Sequence, residues 1–171
     1  SRNFTKYEDL IQLLDQLSAY KLNALHLHFA DDEGWRLEIP GLPELTEVAS
    51  RRGHTSDESR CLYPGYDGNW DANASSTGNG FLTRKQFVAL LRYAAERHIR
   101  VIPEIECPGH ARAAIVAMKA RYHKYKDTDM QRATQFLLSE STDTSRYVSA
   151  QAYTDNIMNI ALPSATAFVT Y

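Results

Sequence analysis

A parallel α/β architecture, either a closed barrel or an open sheet, is predicted by the order of patterns along the chain. Three observations carry that prediction. Amphipathic helix patterns alternate with short strand patterns; the strand IRVIPEI is the continuous apolar kind found in parallel sheets; and ionisable residues gather just after the C-terminal end of each strand.

Composition bounds the possibilities. With 171 residues, 43% hydrophobic and 23% charged, the chain can bury one core but not two large domains. A net charge of -2, with basic residues scattered among acids, gives no footprint for nucleic acid. The apolar runs are too short to span a bilayer, and the residues from Ser1 onward do not read as a signal, which leaves the compartment open. Cys61 and Cys107 stand alone, without CxxC or Cys/His ligand spacing, so neither a structural zinc nor a cofactor is expected. Whether they pair is open at this level.

Taken in order, Thr5 to Tyr20 reads as a helix, with Leu10, Leu13, Leu14 and Leu17 at helical spacing and Thr5 with Glu8 as a capping box. Leu22 to Ala30 reads as a buried strand with Leu25, Leu27 and Phe29 on one face and Ala24, His26 and His28 on the other. Two histidines are costly in a core, so one end of this strand is expected to face a polar site. Asp31, Asp32, Glu33, Trp35 and Arg36 follow at once, a mixture of carboxylates, a donor and a flat ring suited to a polar small molecule.

Residues 37 to 82 form a long insert rich in Gly, Pro, Asn, Asp and Ser. Its aromatic residues Tyr63, Tyr66 and Trp70 argue for partial order, and a ligand wall and a solvent-facing excursion are equally good readings. Thr83 with Gln86 makes a second capping box for a helix from about Arg84 to Arg97, striped by Phe87, Leu90, Leu91 and Ala94. His98 to Ile105 is the second buried strand, followed by Glu106, Cys107, Pro108, Gly109 and His110. Ala111 to Tyr125 is helical, residues 126 to 156 are polar and mixed, and Pro163 near the start of Leu162 to Tyr171 opens a further helix.

Several residues carry chemistry. His26 and His28 point the same way and could ligate a metal, but a hydrogen-bonded polar layer inside a barrel is the simpler account. Asp32 and Glu33 could be mistaken for a glycosidase acid pair; adjacent charges are more often a solvated loop or a capping group. His110 follows a strand end, opens a helix, and could be oriented by a carboxylate such as Asp31.

The stretches SRNF at residues 1–4, KLNALHLHFADDEGWRLEI, GLPELT and VIPEIECPGHARAA resemble the first half of the catalytic domain of glycoside hydrolase family 20, the β-N-acetylhexosaminidases, nearest the bacterial chitobiase type. The resemblance covers nearly the whole chain. It implies a (β/α)8 TIM barrel of which residues 1–171 are a fragment, from the end of barrel strand one to about the helix before strand four, with the insert at about 37–82. It implies removal of terminal non-reducing GlcNAc or GalNAc from oligosaccharides or glycans with retention, the substrate's own acetamide oxygen acting as nucleophile. Matching positions make Arg2 a ligand of the sugar's outer hydroxyls, and Asp31 with His110 a relay that holds a general-acid Glu. Glu106, His28 and Trp35 are further candidates. A periplasmic or secreted location is likewise implied.

Departures from the family pattern qualify these expectations. The catalytic Asp-Glu pair of the family follows the fourth strand, beyond Tyr171, so these 171 residues alone are expected to be inactive, and a half-barrel with open strand edges to self-associate. Glu106 and Cys107 stand where the family commonly has Asp and Met. Gly53 stands where some relatives have a cysteine, which leaves Cys61 without a disulfide partner. A metal-dependent barrel hydrolase using His26 and His28, and a non-catalytic carbohydrate-binding fragment, remain as alternatives.

Overall fold

Two parallel strands, β1 (Ala24–His28) and β4 (Arg100–Glu104), form the sheet to which the rest of the chain is attached. The computed structural model describes residues 2–64, 75–144 and 148–171; the expectations placed on Ser1, Tyr66 and Trp70 fall outside them. Between the two strands the chain makes a short antiparallel hairpin, β2 (Ala30–Asp31) with β3 (Gly34–Trp35), then the helical turn α2 (Glu44–Glu47) and the crossover helix α3 (Arg84–Ala95). Helix α1 (Tyr7–Ala19) precedes β1, while α4 (Arg112–Tyr125), α5 (Met130–Thr134) and α6 (Pro163–Val169) follow β4.

The register pairs Leu25 with Val101, His26 with Ile102 and His28 with Glu104. Side chains alternate across a strand, so Leu25 and Phe29 turn to the helices, where Leu10 and Leu14 of α1 and Leu90 and Ala94 of α3 bury them. Phe29 meets Phe87 edge to face, with ring centroids 5.3 Å apart. Asp15 ties the two helices at their exposed margin, accepting from the Tyr93 hydroxyl at 2.8 Å and from Arg97 Nε at 2.7 Å. Hydrogen bonds from Tyr93 first, then Arg97, hold its carboxyl below the usual range.

A second core lies around α4. The run Ala113 to Met118 is buried on every side, against Leu42, Leu45, Val48 and Ala49 of the α2 segment and Phe136, Met158 and Phe168 beyond it. A helix apolar all round needs neighbours all round, and the insert supplies them. Residues 42–53 together with Cys61 and Leu62 are therefore largely packed core, whereas residues 54–60 are mostly exposed; bridges between Leu37 and Leu82 and between Arg52 and Leu62 close the segment.

Two local expectations change. Thr5 and Glu8 make no capping box: the N-cap of α1 is Lys6, without a side-chain cap bond. Phe4 fixes the entry, its N–H donating to Thr77 O at 2.7 Å while its ring occupies the space that a side chain at Gly80 would need. Thr83 and Gln86 do form theirs reciprocally. The second strand is parallel as expected but not buried; Ile102 is 36% exposed, because it lies opposite His26 on the face of the sheet turned away from α1 and α3. Both cysteines are free, Cys61 buried and Cys107 exposed. No helix among the described residues is long and apolar enough to cross a membrane.

One ion pair lies inside the second core. Arg121 Nη1 of α4 donates to Glu44 Oε2 at 3.1 Å, with 4% and 2% of the two side chains exposed, and Lys124 adds a bond at 3.4 Å. Replacing Glu44 by Ala strands a buried guanidinium, and the expected loss is about 3–5 kcal/mol of unfolding free energy. Glu44→Leu combined with Arg121→Met, which removes both charges, should recover most of it. Urea titrations of the single and double variants decide whether the pair acts as described.

Candidate active site

The polar end of the sheet is built by two segments that leave the C-terminal ends of β1 and β4 side by side. Phe29 N–H donates to Glu104 O at 2.9 Å, extending the ladder by one bond before the chain turns into the β2–β3 hairpin. The other segment, residues 105–111, is tied down from behind: Met158 N–H donates to Pro108 O at 2.8 Å and Ala111 N–H to Asn156 O at 3.0 Å. His110 adopts a left-handed backbone with φ 50, uncommon outside glycine and strained enough to require such anchoring.

His110 and Asp31 are brought together. Nδ1 of the imidazole lies 3.5 Å from Asp31 Oδ1 and 3.4 Å from Asp32 Oδ2, so the histidine sits against both carboxylates rather than against Asp31 alone. Asp31 Oδ1 also accepts from Asp32 N–H at 2.7 Å, and its Oδ2 is 3.4 Å from His28 Nε2. His28 Nδ1 in turn meets Glu104 Oε1 at 2.6 Å, and His26 pairs with the other oxygen of Glu104. The two strand histidines and Glu104 thus form a polar layer on the open face of the sheet. Burial pushes the Glu104 carboxyl up, but His28, a hydrogen bond with Glu106, and His26 outweigh it and leave the group below the usual range. Glu106 Oε1 lies 4.0 Å from His28 Nδ1.

Asp32 and Glu33 are the residues that sequence reasoning undervalued. Neither belongs to a solvated loop: they are 0% and 1% exposed. Asp32 does cap a helix, but a distant one, its Oδ1 accepting from the N–H of Arg112 at the start of α4 at 3.2 Å while Oδ2 accepts from Asn156 Nδ2 at 2.8 Å. Arg112 itself is buried between Glu58 and Asp155, with Nε 2.8 Å from Asp155 Oδ1. Burial pulls its pKa down, but those two carboxylates raise it overall. Glu33 Oε2 accepts from Arg2 Nε at 3.1 Å. The only local signal for such burial was three acids in a row directly after an apolar strand, a pattern that solvated loops share.

Trp35 has no open face for a sugar. It is 2% exposed, donates from Nε1 to Leu37 O at 2.6 Å and packs edge to face on Phe168. It lines one wall of an apolar cavity of about 230 Å³ that also touches Leu45, Glu106, Cys107 and Met158. Two groups bring ligand atoms within 4.8 Å of one another and could in principle hold a cation, His28 with Glu104 and Glu106, and Asp31 with Asp32 and His110. Their members already pair with one another as acid and imidazole.

This geometry can be set beside known proteins. The family model for the catalytic domain of glycosyl hydrolase family 20 matches residues 1–171. The chain belongs to glycoside hydrolase family 20. Among family members, a β-hexosaminidase of Vibrio vulnificus is 44% identical over 170 residues, covering 99% of this chain and 20% of that protein. The N,N'-diacetylchitobiase of Vibrio harveyi is 43% identical over 171 residues, covering 99% and 19%. The crystal structure of a family 20 exo β-N-acetylglucosaminidase from Vibrio harveyi in complex with N-acetylglucosamine superposes with a TM-score of 0.76 at 36% identity, over 98% of this chain and 22% of that one. The chain therefore spans about a fifth of the length of these family 20 relatives.

Asp32 joins the hairpin to α4, and its removal leaves two buried donors without their acceptor. Asp32→Ala is expected to cost about 3 kcal/mol and Asp32→Asn about half that, since hydrogen bonds to a charged group contribute about 1.5–3 kcal/mol each. Denaturant midpoints followed by tryptophan fluorescence measure both, and equal stability of all three proteins would contradict the assignment.

Proposed function

We propose that this chain is part of the catalytic barrel of a retaining exo-β-N-acetylhexosaminidase, running from the end of barrel strand one to about the helix before strand four. The observation that carries the proposal is the placement of His110 Nδ1 at 3.5 Å from Asp31 Oδ1, at the C-terminal end of two parallel strands. Active sites of (β/α)8 barrels sit at that end.

The substrates are terminal non-reducing GlcNAc or GalNAc residues of oligosaccharides or glycans. The acetamide oxygen of the sugar attacks its own anomeric carbon, the bond from that carbon to the leaving oxygen breaks, and a glutamic acid supplied from outside these 171 residues gives its proton to the leaving oxygen. Water then opens the cyclic intermediate on the same face, which retains the configuration. Asp31 fixes the His110 imidazole, and His110 orients that glutamic acid and tunes its proton affinity, so both act as positioning residues. Arg2, with 46% of its side chain exposed, offers donors to the outer hydroxyls of the sugar. Asp32 and Glu33 are buried too deeply to protonate a glycosidic oxygen.

Nitrophenyl-GlcNAc tests this reading. The longer protein should release nitrophenol, and the 171-residue chain alone should not exceed a blank, since loss of a general acid costs about 10²–10⁴ in rate. His110→Ala in the longer protein should lower kcat by about 10²-fold and shift the pH–rate profile; an unchanged profile removes the relay. Loss of activity on treatment with a chelator would instead favour a metal-dependent hydrolase built on His26 and His28.

A further inference from the structure

We propose that Glu104 is a positioning residue for the reaction, acting through His28: its carboxylate fixes the His28 ring, His28 fixes the carboxylate of Asp31, and Asp31 in turn holds the imidazole of His110. The proposal rests on the hexosaminidase reading above and lengthens its relay by His28 and Glu104, to which that reading gives no part.

Each contact along this path uses a different atom. Glu104 Oε1 lies 2.6 Å from His28 Nδ1, Asp31 Oδ2 lies 3.4 Å from His28 Nε2, and Asp31 Oδ1 lies 3.5 Å from His110 Nδ1. Carboxylate and imidazole therefore alternate from β4 to β1, on to the β2–β3 hairpin and across to the loop that follows β4. The parallel register creates the first link, because it sets His28 directly opposite Glu104. Nε2 of His28 is buried without a hydrogen bond, and Asp31 is the acid that stands beside it.

The path matters because both kinds of side chain can otherwise turn. Rotation about the last bond of Asp31 would carry Oδ1 away from His110. Contacts on both oxygens oppose it: Oδ1 accepts from Asp32 N–H at 2.7 Å while Oδ2 faces His28. An imidazole can likewise flip and exchange its two nitrogens. The short contact with Glu104 selects the orientation that keeps Nδ1 on β4 and Nε2 on Asp31. Both contacts are attractive when each ring nitrogen carries a proton, and charge-assisted bonds of this kind are about twice as strong as neutral ones. His26 takes the other oxygen of Glu104, which stops that carboxylate from turning in its own right. Such restraint bears on rate, since a misplacement of about 1 Å at a reacting group can cost about 10²-fold.

A merely structural Glu104, there to balance two histidines, would affect every substrate alike when removed. A path that serves the general acid has another signature: its loss slows substrates whose leaving oxygen needs a proton and spares those whose leaving group departs as a stable anion. In the longer protein, Glu104→Met, close in volume, is expected to lower kcat/KM by about 10- to 100-fold on the GlcNAc disaccharide and by less than about threefold on dinitrophenyl-GlcNAc. His28→Ala should behave the same way, and the double variant should be no worse than His28→Ala alone. Glu104→Gln, which keeps an oxygen to accept from Nδ1, should stay within about threefold of the parent on both substrates. Glu104→Asp, which withdraws the carboxylate by one methylene, replaces Glu104→Met if that variant fails to fold. Equal losses on the two substrates, losses that multiply in the double variant, or a Glu104→Gln enzyme as slow as Glu104→Met overturn the positioning role and leave the hexosaminidase reading intact. A parent protein that cleaves neither substrate overturns both.

Discussion

The parallel register of β1 and β4 is the constraint on which the rest of this structure depends. It sets His28 opposite Glu104 and ends both strands at the same level, so that the segments leaving them meet rather than diverge. A slip by one residue would turn Leu25 and Phe29 away from α1 and α3 and carry the histidines into the apolar layer. The apolar face thus fixes the polar one: burial of Leu25 and Phe29 against the helices determines where His28, Asp31 and, through the loop after β4, His110 come to lie.

From that register the site is assembled by buried polar contacts rather than by surface ones. Asp32 reaches the first N–H of α4 and the side chain of Asn156, Arg112 joins α4 to Glu58 of the insert and to Asp155, and Arg36 collects carbonyl oxygens from the chain before β1 and from the insert. Each contact links segments distant in sequence. The left-handed backbone at His110 is held by the same means, with Asn156 and Met158 clasping the loop on either side of it.

What was legible in the sequence divides along a physical line. Features set by local spacing came through: the Thr83–Gln86 box, the stripe of α3, the alternation of β1, and the helix opened by Pro163. Asp31 and His110 were legible because their motifs are long and the family resemblance placed them at strand ends. The burial of Asp32 and Glu33 was not, because their partners, the backbone of Arg112, Asn156 and Arg2, lie far away along the chain, and a run of acids looks the same whether water or a guanidinium satisfies it. Thr5 had the right spacing for a cap, but a tertiary contact at Phe4 moved the helix start past it. Trp35 was ambiguous for a related reason: an indole after a strand suits a sugar platform and a core plug equally, and Phe168, which decides between them, arrives near the other end of the chain.

Arg36 carries a consequence of its own. Its Nη1 donates to Ser50 O, Gly78 O and Gly80 O, at 3.0, 2.9 and 3.1 Å, so a single buried cation gathers both feet of the excursion that separates those residues. Burial first, and Arg52 beside it, lower its pKa to about 9, which still leaves it charged at neutral pH. It works as a covalently tethered counterpart of a structural metal ion, with carbonyl oxygens as ligands. Once the feet of a loop are fixed, changing its length costs little, about 0.6 kcal/mol for each doubling. Arg36 ties Ser50, Gly78 and Gly80 to the backbone of Arg2, so the ends of the excursion and the segment before α1 are held by one side chain.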